Sequence, residues 1–354
     1  MDTKIIRVEE PHIQMSLLRQ AGEIIRAGGL VAFPTETVYG LGGDALSPES
    51  SKKIYAAKGR PSDNPLIVHI YRMEDLAFLV SEIPETAVKL AEAFWPGPLT
   101  MIFHKSEAVP YETTGGLDTV AVRMPSHPTA AAFIREAGGY VAAPSANRSG
   151  KPSPTSARFV EEDLKGRIEM ILDGGDVEIG LESTIIDMTA GKPVILRPGY
   201  ITKEMLEEVL QSVDEDGTMM TDESGQAPKA PGMKYRHYAP EGSLTIVEGG
   251  GEQVTSYINR QVDRLRQQGV KTGVIGTDAT IGRYRGDVCK SAGSREDERT
   301  IARELYRILR EFDDEKVAVI YSESFDTAGI GQAIMNRLLK ASGHHIIYLN
   351  DECY

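Results

Sequence analysis

The chain has 354 residues, of which 41% are hydrophobic and 26% are charged, with a formal net charge of -13. This composition is typical of a soluble globular protein with room for two domains of ordinary size. The acidic balance argues against wholesale electrostatic binding of nucleic acid or of an anionic membrane, although it is compatible with a local cationic pocket.

Cysteine usage and the first residues both predict a cytoplasmic protein. The two cysteines, Cys289 and Cys353, form no CxxC pair, so neither a disulfide framework nor a zinc site is expected. The opening residues MDTKIIRVEEPHI lack the basic leader and long apolar core of a secretion signal. No apolar run in the sequence approaches the length that spans a bilayer.

Residues 1–212 alternate between strand and helix patterns, which predicts one α/β domain. Helices are expected at residues 16–27, 50–57, 86–94, 128–137 and 202–210. Strands are expected at residues 30–33, 66–70, 99–103, 119–124, 140–143, 170–173, 185–188 and 194–197.

A change of composition then separates this domain from a second one. Residues 213–242 are rich in Asp, Gly, Ser, Pro and Met and predict a linker, although its segment PGMKYRHYAP carries many aromatic and cationic side chains. Residues 243–354 predict a smaller Rossmann-like α/β domain. Its strands are expected at 244–247, 273–275, 317–321 and 346–349, and its helices at 254–267, 298–311 and 331–341. The turn EGGG at 248–251 is a weak phosphate-loop signal, and a flexible turn is the favoured interpretation.

Five polar clusters adjoin predicted strands, and open α/β sheets bind ligands at the carboxyl ends of their strands. The first, PTETVYGLG, offers the hydroxyls of Thr35 and Thr37 and ends on a glycine-rich turn that lets the backbone approach a ligand. A polar turn that caps a helix is an equally good interpretation. The second, KGRPSDNPLIVH, places Lys58 and Arg60 on a loop stiffened by prolines, which suits a polyanion such as triphosphate.

The other three clusters add further cations and hydroxyls. TVAVRMPSHP puts Arg123 at the end of an apolar strand, where a carboxylate ligand or a protein Asp would offset its burial. APSANRSGKPSP offers Ser145 and Asn147, small groups that cradle phosphate or ribose. LESTIIDM and ILRPGY place Ser183 before one strand and Arg197 at the end of the next.

Several motifs of nucleotide-binding and hydrolytic enzymes are absent from the sequence, which argues against those types of site. The sequence contains no GxxxxGK[ST], no GxSxG and no HExxH, and no GxGxxG follows a predicted strand. The loops instead combine cations, hydroxyls and glycines, which suit positioning and charge stabilisation better than covalent catalysis.

Seven of these segments, in this order, resemble the threonylcarbamoyl-AMP synthase family and its YrdC-like domain. They are PTETVYGLG, KGRPSDNPL, WPGPLT, VRMP, APSAN, ESTI and LRPG. PGMKYRHYAP and the second α/β domain resemble the longer, two-domain branch of that family. The resemblance implies a YrdC-like twisted open sheet with flanking helices. It also implies a nucleotidyltransferase that converts L-threonine, bicarbonate or CO2, and ATP into threonylcarbamoyl-AMP, pyrophosphate and water, for t6A modification of tRNA at A37.

The resemblance also implies the site residues. Around L-threonine it implies Thr35, Arg60, His69, Arg123 and Ser183. Around ATP it implies Lys58, Ser62, Thr119, Ser145, Asn147, Ser153, Arg197, His237 and Tyr238, with Lys58 and Arg60 as the catalytic pair. The segment that holds His237 and Tyr238 is expected to act as a lid that excludes water from a labile product.

Mg²⁺ is the implied cofactor and is expected to enter with ATP. The sequence offers no obvious carboxylate cage, so phosphates and water would supply most of its ligands, with Glu36 or Asp63 helping through water. Besides the substrates, transient contacts with tRNA or with the transferase machinery are implied, and no membrane is.

Three other interpretations compete with this one. A double-stranded RNA- or tRNA-binding module without catalysis of its own is the main alternative, because YrdC-like domains can present a basic concave face; the acidic total counts against it. A carbamoyltransferase of the hydrogenase-maturation type has a related domain but also carries zinc-binding CxxC pairs, which this sequence lacks. A second domain with a purely structural role is the third.

Overall fold

The computed structural model describes residues 2–9, 14–217, 230 and 238–349. The chain divides into two units, residues 1–149 with 153–235 and residues 150–152 with 236–354. The predicted domain boundaries after residues 212 and 242 stay predictions, because most of the segment between them lies outside the described residues.

The first unit is built on a mixed sheet of short strands. Within the described residues these are β1 (Lys4–Arg7), β2 (Val31–Phe33), β3 (Gly40–Asp44), β4 (Ile67–His69), β5 (Leu99–His104), β6 (Thr119–Arg123), β7 (Val141–Ala142), β8 (Met170–Asp173), β9 (Thr184–Asp187), β10 (Val194–Arg197) and β11 (Asp214–Glu215). Their spatial order is β1-β8-β2-β3-β7-β4-β6-β5-β9-β10-β11. Both parallel and antiparallel pairs occur along it, which confirms the predicted α/β sheet.

Helices cover both faces of this sheet. They are α1 (Met15–Arg26), α2 (Pro48–Lys58), α3 (Leu76–Leu79), α4 (Glu85–Phe94), α5 (Tyr111–Thr114), α6 (Pro128–Glu136), α7 (Ala157–Leu164) and α8 (Lys203–Leu210), with a 3-10 turn at Met73–Asp75. Side chains alternate between the two faces of a strand. Phe33 of β2 therefore packs in the cluster that holds α1 and α6, whereas its neighbour Ala32 packs in the cluster that holds α2, α4, α7 and α8.

The stretch that ends the first motif is a strand, and the predicted glycine-rich turn there is wrong. Residues 40–44 form β3, which pairs with β2 on one side and β7 on the other. A Cβ on Gly42 would lie 2.9 Å from Val141 Cγ1, and one on Gly40 would lie 3.1 Å from Phe33 Cζ. The glycines therefore make room for core side chains rather than for a ligand. Glycine is depleted in strands, so the sequence pattern gave no strand signal.

The second unit is built on a parallel sheet. Within its described residues the strands are β12 (Ser243–Glu248), β13 (Thr272–Gly276), β14 (Val288–Ser291), β15 (Val319–Glu323) and β16 (Ile346–Tyr348), in the spatial order β14-β13-β15-β12-β16. Every pairing is parallel, which confirms the predicted α/β class. If these five strands are numbered 1 to 5 along the chain, their spatial order is 3-2-4-1-5. This differs from the 3-2-1-4-5 order of a Rossmann sheet.

Three long helices connect these strands. They are α9 (Gly251–Gln267), α10 (Glu298–Asp314) and α11 (Gly329–Ser342), with a 3-10 turn at Ile281–Arg283. All three were expected, whereas strand β14 was not, because its residues are only half-buried and carry no clear alternation. Within the described part of the chain, no helix has both the length and the apolar character that a bilayer crossing needs.

A Gly22→Ala substitution should destabilise the first unit. Gly22 is buried in α1, and an added Cβ would overlap the carbonyl oxygen of Glu136 and lie 2.9 Å from the nitrogen of Ala137. Separating α1 from α6 is expected to lower the free energy of unfolding by about 1–3 kcal/mol. Urea unfolding followed through Trp95, the one tryptophan of the sequence, measures it. Gly191→Ala is the control, because no atom lies within 4 Å of its added Cβ. Equal stability of the two variants would contradict the close packing of α1 on α6.

Candidate functional site

The strands of the first unit that carry predicted site residues run in two directions. The antiparallel pairings β2–β3 and β3–β7 make β2 and β7 point one way, and the antiparallel β7–β4 pairing makes β4 point the other way. Strands β6 and β10 follow the direction of β4. A parallel sheet would place all the polar clusters at one edge, where the strands have their carboxyl ends. In this mixed sheet the clusters lie at both edges. The loop after β2 reaches the end of β6.

A buried ion pair forms where that loop meets β6. Arg123 and Glu36 are 4% and 3% exposed, and Arg123 Nη2 donates to Glu36 Oε1 over 2.6 Å. Arg123 Nη1 donates to Thr37 Oγ1 over 2.9 Å, and its Nε donates to the carbonyl oxygen of Gly97 over 3.3 Å. A buried guanidinium needs such partners. The carboxylate expected beside Arg123 is thus supplied by Glu36 rather than by an Asp.

Thr35 holds the same loop in shape. Its Oγ1 donates to the carbonyl oxygen of Val38 over 2.6 Å and accepts from the backbone N–H of Thr37 over 3.2 Å. The residue is 2% exposed. Thr35 therefore fixes the loop that places Glu36 and Thr37 against Arg123.

His69 lies directly beside Arg123, because the two residues are register partners in the β4–β6 pair. Its ring is 4% exposed, meets the Phe33 ring edge-on with centroids 6.1 Å apart, and has Nδ1 3.1 Å from the carbonyl oxygen of Ile67. Burial first, and then the positive charge of Arg123, lower the pKa of His69 to about 3. The imidazole is therefore neutral at physiological pH.

Ser183 and Arg197 form a second buried group next to the first. Arg197 Nη2 donates to the carbonyl oxygen of Ser183 over 2.8 Å and to its Oγ over 3.2 Å. Ser183 Oγ lies 2.7 Å from Thr100 Oγ1, and Thr100 is the register partner of Arg123 in the β5–β6 pair. The structure thus brings the predicted residues Thr35, His69, Arg123, Ser183 and Arg197 into one continuous network.

The loop at 179–183 ties Ser153 to this network. The backbone N–H groups of Ile179 and Gly180 donate to the carbonyl oxygens of Glu36 and Thr37 over 2.9 and 3.0 Å. Ser153 is fully buried, and its Oγ donates to Glu182 Oε1 over 2.5 Å. Ser153 is therefore held beside the loop that contacts Glu36.

Lys58 binds the loop at residues 145–147 through the loop's carbonyl oxygens. It ends α2, which starts after the capping residue Ser47 and stops at Gly59 in the left-handed region, with φ of 63°. Lys58 is 2% exposed, and its Nζ donates to the carbonyl oxygens of Ser145, over 2.5 Å, and of Asn147. The N–H of Ala146 donates to the carbonyl oxygen of Tyr39 over 2.8 Å, which joins this loop to the first motif.

Arg60, Ser62 and Thr119 lie in more open positions. Arg60 is half-buried, and its Nη2 donates to Asn64 Oδ1 over 2.6 Å and to the carbonyl oxygen of Pro65 over 3.1 Å. Ser62 is exposed on the same loop. Thr119 starts β6, four residues before Arg123, which corresponds to about 13 Å along a strand. In the structure as described, Thr119 therefore lies at the opposite end of β6 from the Arg123 ion pair.

The last two predicted residues belong to the linker. Tyr238 is part of the second unit, where it is 6% exposed and its ring packs on that of Tyr306 with centroids 5.1 Å apart. The guanidinium of Arg337 lies 5.9 Å from the Tyr238 ring centroid. His237 and the lid segment before it lie outside the described residues, so the lid stays a prediction.

Glu36 is a functional candidate whose protein partner was not predicted from the sequence. The expectation that it helps to hold Mg²⁺ through water stays a prediction, and the structure pairs it with Arg123. Its other carboxylate oxygen, Oε2, is buried and has no hydrogen-bond partner among the residues that the structure describes. Its position between two threonines of the first motif was the available signal. Thr100 and Glu182, which contact Ser183 and Ser153, were not predicted as site residues, and no pattern in the sequence indicated them.

Two family models match the chain, one for each part of it. The model described as "Telomere recombination", for Sua5, YciO and YrdC proteins, matches residues 23–199. The model described as "Threonylcarbamoyl-AMP synthase, C-terminal domain" matches residues 201–343.

Full-length relatives and a solved structure agree with these matches. A threonylcarbamoyl-AMP synthase of Pyrococcus abyssi is 50% identical, over 98% of this chain and 99% of its own length. One of Bacillus subtilis is 49% identical, over 93% of this chain and 94% of its own. The crystal structure of P. abyssi Sua5 complexed with L-threonine superposes with a TM-score of 0.93 at 48% identity, covering 98% of this chain and all of that one.

Burial of neutral His69 should make folding pH-dependent. The pKa is about 3 in the folded chain against 6.5 as the ordinary value, so the unfolded chain takes up the proton first as the pH falls. Stability is therefore lost from pH 6.5 downward. A His69→Gln variant should lack this component, which is roughly 2–3 kcal/mol between pH 6.5 and about pH 4.5. Urea unfolding at several pH values measures it. Exposed His104→Gln should retain the pH dependence, and parallel curves for His69→Gln and the unsubstituted chain would contradict the assignment.

Proposed function

The chain belongs to the threonylcarbamoyl-AMP synthase family, and we propose that its first unit works as a nucleotidyltransferase on L-threonine, bicarbonate or CO2, and ATP. As a member of this family, the chain is an enzyme that forms threonylcarbamoyl-AMP for the t6A modification of tRNA. The Arg123–Glu36 pair is the observation that carries the proposed chemistry.

A zwitterionic amino acid matches this pair of opposite charges. The guanidinium of Arg123 is shaped to bind a carboxylate, so it is proposed to hold the carboxylate of L-threonine. The buried Oε2 of Glu36 has no partner among the described residues, and it is proposed to accept an N–H of the threonine ammonium. Thr35, His69 and Ser183 are proposed to complete the pocket. The complex of P. abyssi Sua5 with L-threonine supports threonine as the amino acid.

The proposed reaction joins the amine to carbon dioxide and then to AMP. The threonine ammonium first loses a proton, for which Glu36 is the nearby acceptor, and the amine then forms an N–C bond. With bicarbonate this step releases water, and with CO2 the nitrogen releases a second proton to solvent. A carbamate oxygen then attacks the α-phosphorus of ATP, and the bond to pyrophosphate breaks. Aligning the two reactants in this way can lower the barrier by about 7–11 kcal/mol.

Cations are proposed to hold the nucleotide. Lys58 ends α2 beside Ser145 and Asn147, and it is proposed, with Arg60, to neutralise charge on the triphosphate. The remaining proposed ATP contacts are Ser62, Thr119, Ser145, Asn147, Ser153 and Arg197, with His237 and Tyr238 of the lid segment. Mg²⁺ would enter with ATP. The described residues include no group of three or more His, Cys, Asp or Glu placed to bind a metal, so phosphate oxygens and water are proposed as its main ligands.

Omitting one reactant at a time tests the reaction. Pyrophosphate release by the full chain should require ATP, L-threonine and bicarbonate together, because the carbamate is the proposed nucleophile. Threonylcarbamoyl-AMP should appear in equal amount by mass spectrometry. Release that persists without L-threonine would contradict the proposal. Salt-sensitive tRNA binding with no pyrophosphate release would instead favour the RNA-binding alternative.

A Glu36→Gln variant should lose most of this activity. Glutamine keeps a hydrogen bond to Arg123, but it cannot accept the ammonium proton. We expect kcat/KM for L-threonine to fall by about 10²-fold or more. Glu178→Gln is the control. Burial lowers the pKa of His127, and the charges of Glu36 and of exposed Glu178 both oppose this shift, so the control removes a nearby carboxylate that is not part of the ion pair. Urea unfolding followed through Trp95 separates this effect on activity from the loss of stability caused by removing the counter-charge of Arg123. A folded Glu36→Gln variant with unchanged kcat/KM would contradict the role of Glu36.

A further inference from the structure

The second unit contains a crevice that the proposed reaction does not use. Its volume is about 380 Å³, which lies within the range of small-molecule sites. Gly249 and Gly251 line it on one side, and Glu323 and Ser324 on the other, with Arg295 at its rim. All of these residues belong to the second unit.

The crevice lies where the strand order predicts a ligand site. From β12 the chain crosses to β13 on one side, and from neighbouring β15 it crosses to β16 on the other side. Adjacent parallel strands whose connections leave in opposite directions open a gap at their carboxyl ends, and open α/β sheets bind ligands there. The lining residues Gly249 and Gly251 follow β12, and Glu323 and Ser324 end and follow β15.

Glu323 is a buried carboxylate in the wall of this gap. It is 4% exposed, accepts from the Tyr284 hydroxyl at Oε1 over 2.8 Å, and accepts from Arg295 Nη2 at Oε2 over 2.7 Å. Each carboxylate oxygen can accept two hydrogen bonds, so both can still accept from a ligand hydroxyl. A carboxylate beyond a parallel strand is the group that binds ribose hydroxyls in dinucleotide folds.

The opposite wall suits a phosphate. Gly249 has a φ of 157°, and a Cβ there would lie 2.9 Å from Leu349 Cβ, so the turn requires glycine. Gly251 then starts α9, a helix of 17 residues, and a Cβ at Gly251 would meet no atom within 4 Å. Backbone N–H groups at such a turn point at an anion. The side chain of Arg295, 48% exposed, adds a positive charge, and its Nη2 donates to Glu323 and to the carbonyl oxygen of Ser324.

The remaining lining is apolar except for Thr280 and Asp326. Val247, Val254 and Phe325 are nearly buried beneath the crevice, and the Arg295 guanidinium lies 5.3 Å from the Phe325 ring centroid. Asp326 also lines it, but its Oδ1 accepts from the backbone N–H groups of Thr327 and Ala328 over 2.7 and 3.1 Å. Asp326 thus stabilises its own turn.

From these contacts we propose that the crevice binds a nucleoside phosphate. The phosphate lies against the turn at 249–251 and Arg295, and the ribose hydroxyls donate to Glu323. This site is separate from the reaction proposed for the first unit, and its ligand is bound rather than consumed.

Hydrogen exchange read out by mass spectrometry tests the site in the full chain, with AMP as the probe. AMP should slow exchange in peptides that cover residues 249–255 and 323–328. Gly251→Asp should weaken AMP binding there by at least about tenfold, because it places a negative charge against the phosphate. Gly251→Ala, which fits the same open space, should retain it. Dideoxy-AMP, which lacks both ribose hydroxyls, should bind at least about tenfold more weakly than AMP.

Three results would overturn the proposal. They are an absence of slowing in these two peptides, slowing confined to peptides of the first unit, and equal slowing in the Gly251→Asp chain. Equal binding of AMP and dideoxy-AMP would overturn the assignment of Glu323 to ribose and with it the nucleoside phosphate. None of these results affects pyrophosphate release, so this site and the reaction proposed for the first unit are tested independently.

Discussion

The buried ion pair between Arg123 and Glu36 organises the first unit. Strands β2 and β6 are separated in the sheet by β3, β7 and β4, so backbone pairing alone does not join them. The loop after β2 crosses this distance because a guanidinium that is 4% exposed requires a counter-charge. Once Glu36 and Thr37 are held there, the loop at 179–183 binds their carbonyl oxygens. Four of the five residues predicted around L-threonine, all except Arg60, then belong to one network.

The two units use different arrangements to create a site. In the first, strands run in both directions, so loops must fold back to bring together residues from opposite edges of the sheet. In the second, all strands are parallel, and a reversal in the direction of the connections leaves a gap at their carboxyl ends. The first site is therefore held together by side-chain hydrogen bonds and an ion pair, whereas the position of the second follows from the order of the strands.

Local signals in the sequence predicted many elements well. Helix α2 is bounded by the cap Ser47 and by Gly59, which places Lys58 at its end, and the apolar run before Arg123 is strand β6. Strand β3 was missed because its glycines fit spaces left by Phe33 and Val141, and such fit depends on residues distant in sequence. Strand β14 was missed because it is only half-buried.

The sequence by itself determined the family, the α/β class and the residue types available for the reaction, because seven short motifs and local periodicity are written in neighbouring residues. Only the tertiary structure decided that Glu36 is the partner of Arg123 and that Thr119 lies at the far end of β6. It also decided that the turn at 248–251, a weak signal in the sequence, borders a crevice. Strand direction, burial and the choice of ionic partner depend on contacts between distant segments, which local patterns do not encode.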